Sequence, residues 1–168
     1  MKKVAILVED QYQELEVWYP YLRLKEAGFD AKFVGTGKGE YMSKRGYPVK
    51  EEMAIGRADA ADFDAVVIPG GYAPDFLRRY DKINSFVRQI YDKGGVTAGI
   101  CHGGWVLISA DLLRGKKATS FFAIKDDMIN AGAEWEDSEV VVDGNLVTSR
   151  KPDDLPAFLK AIIGLLEG

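Results

Sequence analysis

One cysteine and one histidine occur in this 168-residue chain, and they are neighbours. Cys101 and His102 lie in the stretch VTAGICHGGW. Gly99-Ile100-Cys101-His102-Gly103 has the spacing glycine, any residue, nucleophile, any residue, glycine. A strand that turns abruptly into a helix holds such a residue in a strained conformation, and small flanking residues let the turn close. The sulfur then sits at a helix start, where the dipole and free N–H groups favour a thiolate. A lone cysteine elsewhere reads as a small buried hydrophobe. Here the spacing, the strand-end position and the adjacent imidazole read as a reactive thiol.

A hydrolase that takes its histidine from a distant loop cannot be built from this chain. If a histidine takes part, it is His102, assisting proton transfer and needing a carboxylate to orient it. Neighbouring side chains at an elbow tend to point apart, so its ring is not expected to face the sulfur. Carboxylates come from two other loops. EDQYQELE supplies Glu14 and Glu16. Glu14 reads as ordinary helix-start charge. For Glu16 the pattern leaves two readings open: the same helix-start role, or a partly buried carboxyl near the thiol that holds a proton. PGGYAPD supplies N–H groups at Gly70 and Gly71, which with that of His102 could form an oxyanion hole. It reads equally as a plain strand-to-helix turn with Asp75 as a cap.

These loops need elements to carry them. VAILV (4–8), FDAVVIPGG (63–71), which ends in a glycine pair, and GVTAGI (95–100) read as apolar runs of strands buried on both faces. DAKFVG (30–35) is a further strand. ELEVWYPYLRLKEAG (14–28) has helical spacing, with Leu15, Trp18, Tyr19, Leu22 and Leu24 as its apolar stripe and Gly28 as its stop. Residues 73–94 read as one long helix, and a helix follows Cys101. The turn-rich segment from GTGKGE onward predicts an antiparallel excursion. It lacks the Gly-Lys-Ser/Thr ending of a phosphate loop. ATSF (118–121) reads as a short strand and residues 123–133 as a short helix. EVVVDGNLVTSR is a hairpin turning at Asp143-Gly144. DDLPAFLKAIIGLLEG closes as a helix that Asp153 or Asp154 could cap. Alternating strands and helices predict a single α/β domain over 1–168 with a mostly parallel sheet and sites at the carboxyl ends of its strands.

Composition narrows the classes. A net charge of -4 gives no nucleic-acid footprint. The apolar run at the N-terminus is too short for a signal peptide or a membrane span. A single cysteine allows no internal disulfide, which predicts a reducing, cytoplasmic setting. One histidine and one cysteine fall short of a closed zinc site, and no calcium-loop spacing or cofactor motif occurs.

PGGYAPD, AGICHG, TSFFAIKDDMINAG and EVVVDGNLVTSR, in this order and over nearly the whole chain, resemble the PfpI intracellular cysteine peptidases of the ThiJ/PfpI superfamily. The resemblance implies a flavodoxin-like α/β sandwich with the nucleophile Cys101 on an elbow. It implies pairing of Cys101 with His102, and an acidic residue borrowed from the PGGxAPE loop of a neighbouring subunit, here Asp75. It also implies a glutamate beside the thiol on the first helix, which Glu16 matches, so Glu16 becomes a functional carboxyl. Two positions depart from close relatives. Gln13 stands where glutamate is frequent, and Phe121 where some have tyrosine. Both bear on substrate range. A borrowed acid implies a homo-oligomer, a dimer or a hexamer, with the site near an interface. Aromatics such as Tyr12, Trp18, Tyr19, Tyr21 and Tyr41 could supply contact surface, or belong to the core.

The resulting expectation is a cysteine-dependent hydrolase of small peptides. The alternative is glyoxalase or deglycase chemistry on methylglyoxal and its adducts, with Glu16 moving protons. A third is a redox-sensing or chaperone stress protein without turnover.

Overall fold

The computed structural model describes residues 1–168. VAILV shows how the sheet is built. Strand β1 (Lys3–Leu7) turns Val4, Ile6 and the following Val8 to one core and Ala5 and Leu7 to the other. Alternation along a continuous apolar run is what a strand covered on both faces requires. The chain continues through β2 (Asp30–Gly35), β3 (Glu40–Met42), β4 (Pro48–Lys50), β5 (Met53–Ala54), β6 (Ala65–Ile68) and β7 (Val96–Ile100). Then come β8 (Lys117–Ala118), β9 (Glu134–Trp135), β10 (Val141–Asp143) and β11 (Leu146–Ser149). Seven of these form one sheet in the order β10-β11-β7-β6-β1-β2-β5, parallel throughout except for the hairpin strand β10.

Helices α1 (Glu14–Glu26) and α6 (Leu155–Glu167) cover the Val4 face through residues such as Val17, Leu24, Phe158 and Ile162. Helices α3 (Asp81–Asp92), α4 (Gly104–Ser109) and α5 (Lys125–Asn130) cover the other through Ile83, Phe86, Val87, Leu107 and Met128. This is the flavodoxin-like three-layer sandwich. Its β3–β4 pair is the antiparallel excursion, and Gly144, at φ +61, turns the β10–β11 hairpin. No helix is long and apolar enough to cross a membrane.

Several local expectations are corrected. The long helix over 73–94 is two, because the backbone leaves helical geometry at Tyr80, between α2 (Ala73–Leu77) and α3. No proline or glycine marks this break. The Asn84 amide stabilises it instead by donating to the freed Arg78 carbonyl at 2.8 Å. In α1 the buried face is Glu16, Val17, Pro20 and Leu24, while Leu15 and Leu22 are exposed. The apolar stripe is thus rotated, and a glutamate occupies the inward side. Tyr12 and Tyr41 are core residues, and Trp18, Tyr19 and Tyr21 are partly buried against that core. Asp154 stands at the start of α6 but makes no capping bond. Its carboxylate is taken by the Arg150 guanidinium at 2.9 Å and the Arg150 N–H at 3.0 Å. The strand expected over 118–121 is confined to Lys117–Ala118.

Candidate active site

Strand β7 ends extended at Ile100, and Cys101 then swings to φ +60. That left-handed conformation costs a non-glycine residue on the order of 1–3 kcal/mol, and it persists only where packing holds it. The glycine after the nucleophile supplies the packing. A Cβ on Gly103 would lie 2.4 Å from the Ile68 carbonyl oxygen, and one on Gly99 3.0 Å from Leu107. The elbow therefore closes against β6 only with glycine at 103, and a side chain at 99 would displace Leu107.

Glu16 reaches the elbow from α1. Gln13 fixes the start of that helix, its Oε1 accepting from the N–H groups of Leu15 at 2.7 Å and Glu16 at 3.1 Å. Glu16 is wholly buried, and its Oε1 accepts from the Gly70 N–H at 2.8 Å. Its other oxygen, Oε2, has no hydrogen-bond partner. Gly70 lies in the gap between the two reactive groups. A Cβ there would come 2.5 Å from Glu16 Oε1 and 2.7 Å from Cys101 Cβ.

Around the sulfur the geometry departs from expectation in two respects. The His102 ring does face it, with Nδ1 3.2 Å from Sγ. The N–H of Gly70 is occupied by Glu16, so the backbone donors that converge on the sulfur are those of Gly71 and His102. Burial pushes the thiol up to about 12, helped by the Glu16 charge, while those two N–H groups and Lys44 act the other way. Burial thus opposes the thiolate that the helix start and its N–H groups favour. Glu16 is raised to about 7 by burial, against the Gly70 N–H and Lys44. At neutral pH its carboxyl can accept or give up a proton, and the thiol is protonated.

His102 is held below the usual imidazole range by burial and by Lys44, with Asp127 opposing. Its ring packs between Phe121, stacked at 5.2 Å, and Trp105, edge-on at 5.0 Å. Trp105 in turn donates to Asp127 at 2.9 Å. Asp75 lies apart from this group within one chain, bonded to Arg79 at 2.6 Å. Phe121 is anchored by its N–H on the Cys101 carbonyl at 3.3 Å.

Gln13, Glu16, Cys101, His102 and Phe121 line an open cavity of about 330 Å³ together with Gly71, Tyr72, Lys44, Lys151 and Pro152. Sequence reasoning did not single out Tyr72, Lys44, Lys151 or Pro152. Lys44 arrives on the β3–β4 hairpin, whose position depends on Tyr12. The Lys44 N–H donates to the Tyr12 carbonyl at 3.0 Å, and Tyr12 bridges to both Ser43 and Gly71. Lys151 and Pro152 follow β11, a strand end beside β7. The rule that sites gather at carboxyl strand ends could have pointed to them.

A parallel α/β sandwich with a strained cysteine at the end of an inner strand, beside a proton-holding carboxyl, defines a class of cysteine-elbow proteins. The chain belongs to the DJ-1/PfpI family, whose profile matches residues 2–165. It is 46% identical to a deglycase of Pyrococcus horikoshii over 98% of this chain and 99% of that protein. It is 44% identical to YraA of Bacillus subtilis, named provisionally as a cysteine protease, over 99% of each chain. A solved two-domain protein of Anabaena variabilis, with DJ-1/ThiJ/PfpI-like and ferritin-like domains, superposes with a TM-score of 0.97 at 47% identity. That match covers 99% of this chain and 48% of the Anabaena protein, so this chain spans about half its length.

Proposed function

We propose that this protein is a cysteine-dependent deglycase, acting on the adducts that methylglyoxal-type dicarbonyls form with thiols and amines. The observation that carries the reading is Glu16, a wholly buried carboxyl raised to about 7 beside Cys101, with one oxygen unpartnered. Glu16 takes the thiol proton as the sulfur displaces the thiol or amine of the adduct from the aldehyde-level carbon, and hands that proton to the departing group. Glu16 then moves a proton between the two adjacent carbons, turning the bound hydroxyketone into a hydroxyacyl thioester. Water hydrolyses the thioester to lactate and frees the sulfur. The Gly71 and His102 N–H groups lie where negative charge collects on sulfur. The name of the Pyrococcus relative supports the same reading.

Peptide hydrolysis is the second reading, favoured by the 3.2 Å approach of His102 Nδ1 to the sulfur and by the name of the Bacillus relative. It asks more of His102, which must protonate a leaving amine although no carboxylate of its own chain hydrogen-bonds it. A homo-oligomer in which Asp75 reaches a neighbour's His102 would supply one, and it belongs to this second reading. A redox sensor would draw on a resting thiolate, which burial of the sulfur opposes. The lone free cysteine suits a reducing, cytoplasmic setting for either enzyme.

The test is lactate release from the hemithioacetal of methylglyoxal and a small thiol, by wild type and Cys101→Ser at equal subunit concentration. Release lost in the variant supports the deglycase. Peptide cleavage without lactate release would replace it with the peptidase.

A further inference from the structure

The wall of the cavity carries two cations. Lys44 and Lys151 line it from separate elements, the β3–β4 hairpin and the loop after β11, with Cys101, Glu16, Phe121 and Pro152 between them. Both ammonium groups are free. Neither lysine forms a salt bridge or a side-chain hydrogen bond, whereas most neighbouring charges are taken. Arg150 holds Asp137 and Asp154, Arg79 holds Asp75, and Glu14 accepts from Ser43 and the Arg45 N–H. The only acidic residue on the cavity wall is Glu16, which faces inward onto the Gly70 N–H. Two free cations over an apolar floor make a site that lacks its counter-charge. The adjoining cavity, about 340 Å³, shares Phe121 and Lys151 and adds Ser120, Phe122 and the paired Arg150 and Asp137. There is thus room beyond the sulfur for a substrate larger than a three-carbon aldehyde.

We propose that the site selects substrates whose reacting carbonyl is tethered to an anionic group, a carboxylate or a phosphate, held between Lys44 and Lys151. The tether places the carbonyl over Cys101 while the charge stays at the rim. A lysine presents a point charge without a fixed fork, so it serves either anion. This inference rests on Cys101 as the reacting group. It concerns what the cavity attracts, whichever bond is then broken.

The first experiment needs no turnover. Cys101 is the single thiol, so its alkylation by anionic iodoacetate and by neutral iodoacetamide can be followed in the intact protein. The iodoacetate-to-iodoacetamide rate ratio is expected to exceed that of a free thiol at the same pH. It should fall about threefold in each of Lys44→Gln and Lys151→Gln, as expected for a unit charge about 6 Å away screened as in bulk water. Lys44→Arg, which keeps the charge, should retain it, and added salt should lower it in wild type. A ratio equal to that of the free thiol, or one unmoved by both glutamine variants, overturns the proposal even if the enzyme turns over. The second experiment compares kcat/KM for methylglyoxal hemithioacetals of N-acetylcysteine, N-acetylcysteine amide and 2-mercaptoethyl phosphate. The anionic adducts should be preferred through KM, and the preference should shrink in both glutamine variants. The carboxylate and phosphate arms distinguish which anion is served better. Turnover of none, with the alkylation ratio intact, removes the deglycase reading and leaves the anion site standing.

Discussion

Two carboxyls at the same edge of the sheet are buried to nearly the same degree and have opposite characters. Glu9 follows β1 and is 5% exposed; Glu16 begins α1 and is 0% exposed. Both oxygens of Glu9 are partnered, one by the Asp10 N–H and the other by the Thr36 hydroxyl. Thr36 also meets the Tyr41 hydroxyl, which donates to Glu51 at 2.6 Å. That network joins β1, the β2–β3 turn and the excursion after it. Glu16 has one partnered oxygen and one bare one. The difference teaches that burial alone does not mark a reactive acid. A carboxylate with a donor on each oxygen is a fastener, and a buried one with a bare oxygen is a proton carrier, because the missing bond is what a proton supplies.

The comparison breaks most visibly in turnover. Glu16→Gln is expected to lower kcat on the hemithioacetal by roughly 10²–10⁴, the usual reach of a positioned acid–base group, while Glu9→Gln should leave it within about threefold. Steady-state lactate assays on both variants decide this. Next in size is the pH dependence of stability. The folded value of Glu16, about 7, stands above its ordinary 4.5. The folded state therefore binds the proton more tightly, and this stability is fully present below about 4.5 and lost as pH rises through about 7. The difference corresponds to about 3 kcal/mol. Urea midpoints at pH 4.5 and pH 8 should show Glu16→Gln gaining on wild type by that order as pH rises.

Gly70→Ala should cost about 1–3 kcal/mol of stability, since its Cβ has no room between Glu16 and Cys101. It should also lower kcat, because the group that yields is the reactive pair. Glu9→Gln should cost about 1–2 kcal/mol by thermal unfolding, the worth of a hydrogen bond to a charged group. Asp75→Ala should change stability by less than about 1 kcal/mol, as an exposed helix pair does. Under the second reading it should lower peptide cleavage in the oligomer while sparing lactate release, so one variant separates the two activities.

The same contrast explains what was legible in the sequence. The elbow could be read because its chemistry is local: a strand run, two glycines and a nucleophile within five consecutive positions. The strands were legible for a similar reason, since a continuous apolar run has few alternatives to a doubly covered strand. Glu16 was ambiguous, because helix-start charge and a buried acid look alike in one dimension. Only the rotation of α1, with Leu15 and Leu22 outward, tells them apart. The helix break at Tyr80 was hidden because its stabilising bond comes from the Asn84 side chain and not from a proline or glycine. Lys44 and the facing of His102 toward the sulfur were beyond reach, since both depend on how distant segments settle against the elbow.

Tyr12 ties that settlement together. Its backbone bridges to Ser43 and to Gly71, and its wholly buried ring puts its hydroxyl on the Tyr47 carbonyl. The sulfur it helps enclose is carried on β7, which pairs with β6 on one side and with the much later β11 on the other. Parallel pairings across such separations form slowly, because the chain must close long loops before contacts compensate. A chain still being synthesised therefore carries its thiol before β11, Lys151 and Pro152 exist. During that interval Cys101 has the ordinary chemistry of an unfolded cysteine, exposed to any oxidant or electrophile nearby. The restraint on its reactivity is a property of the finished fold, acquired last.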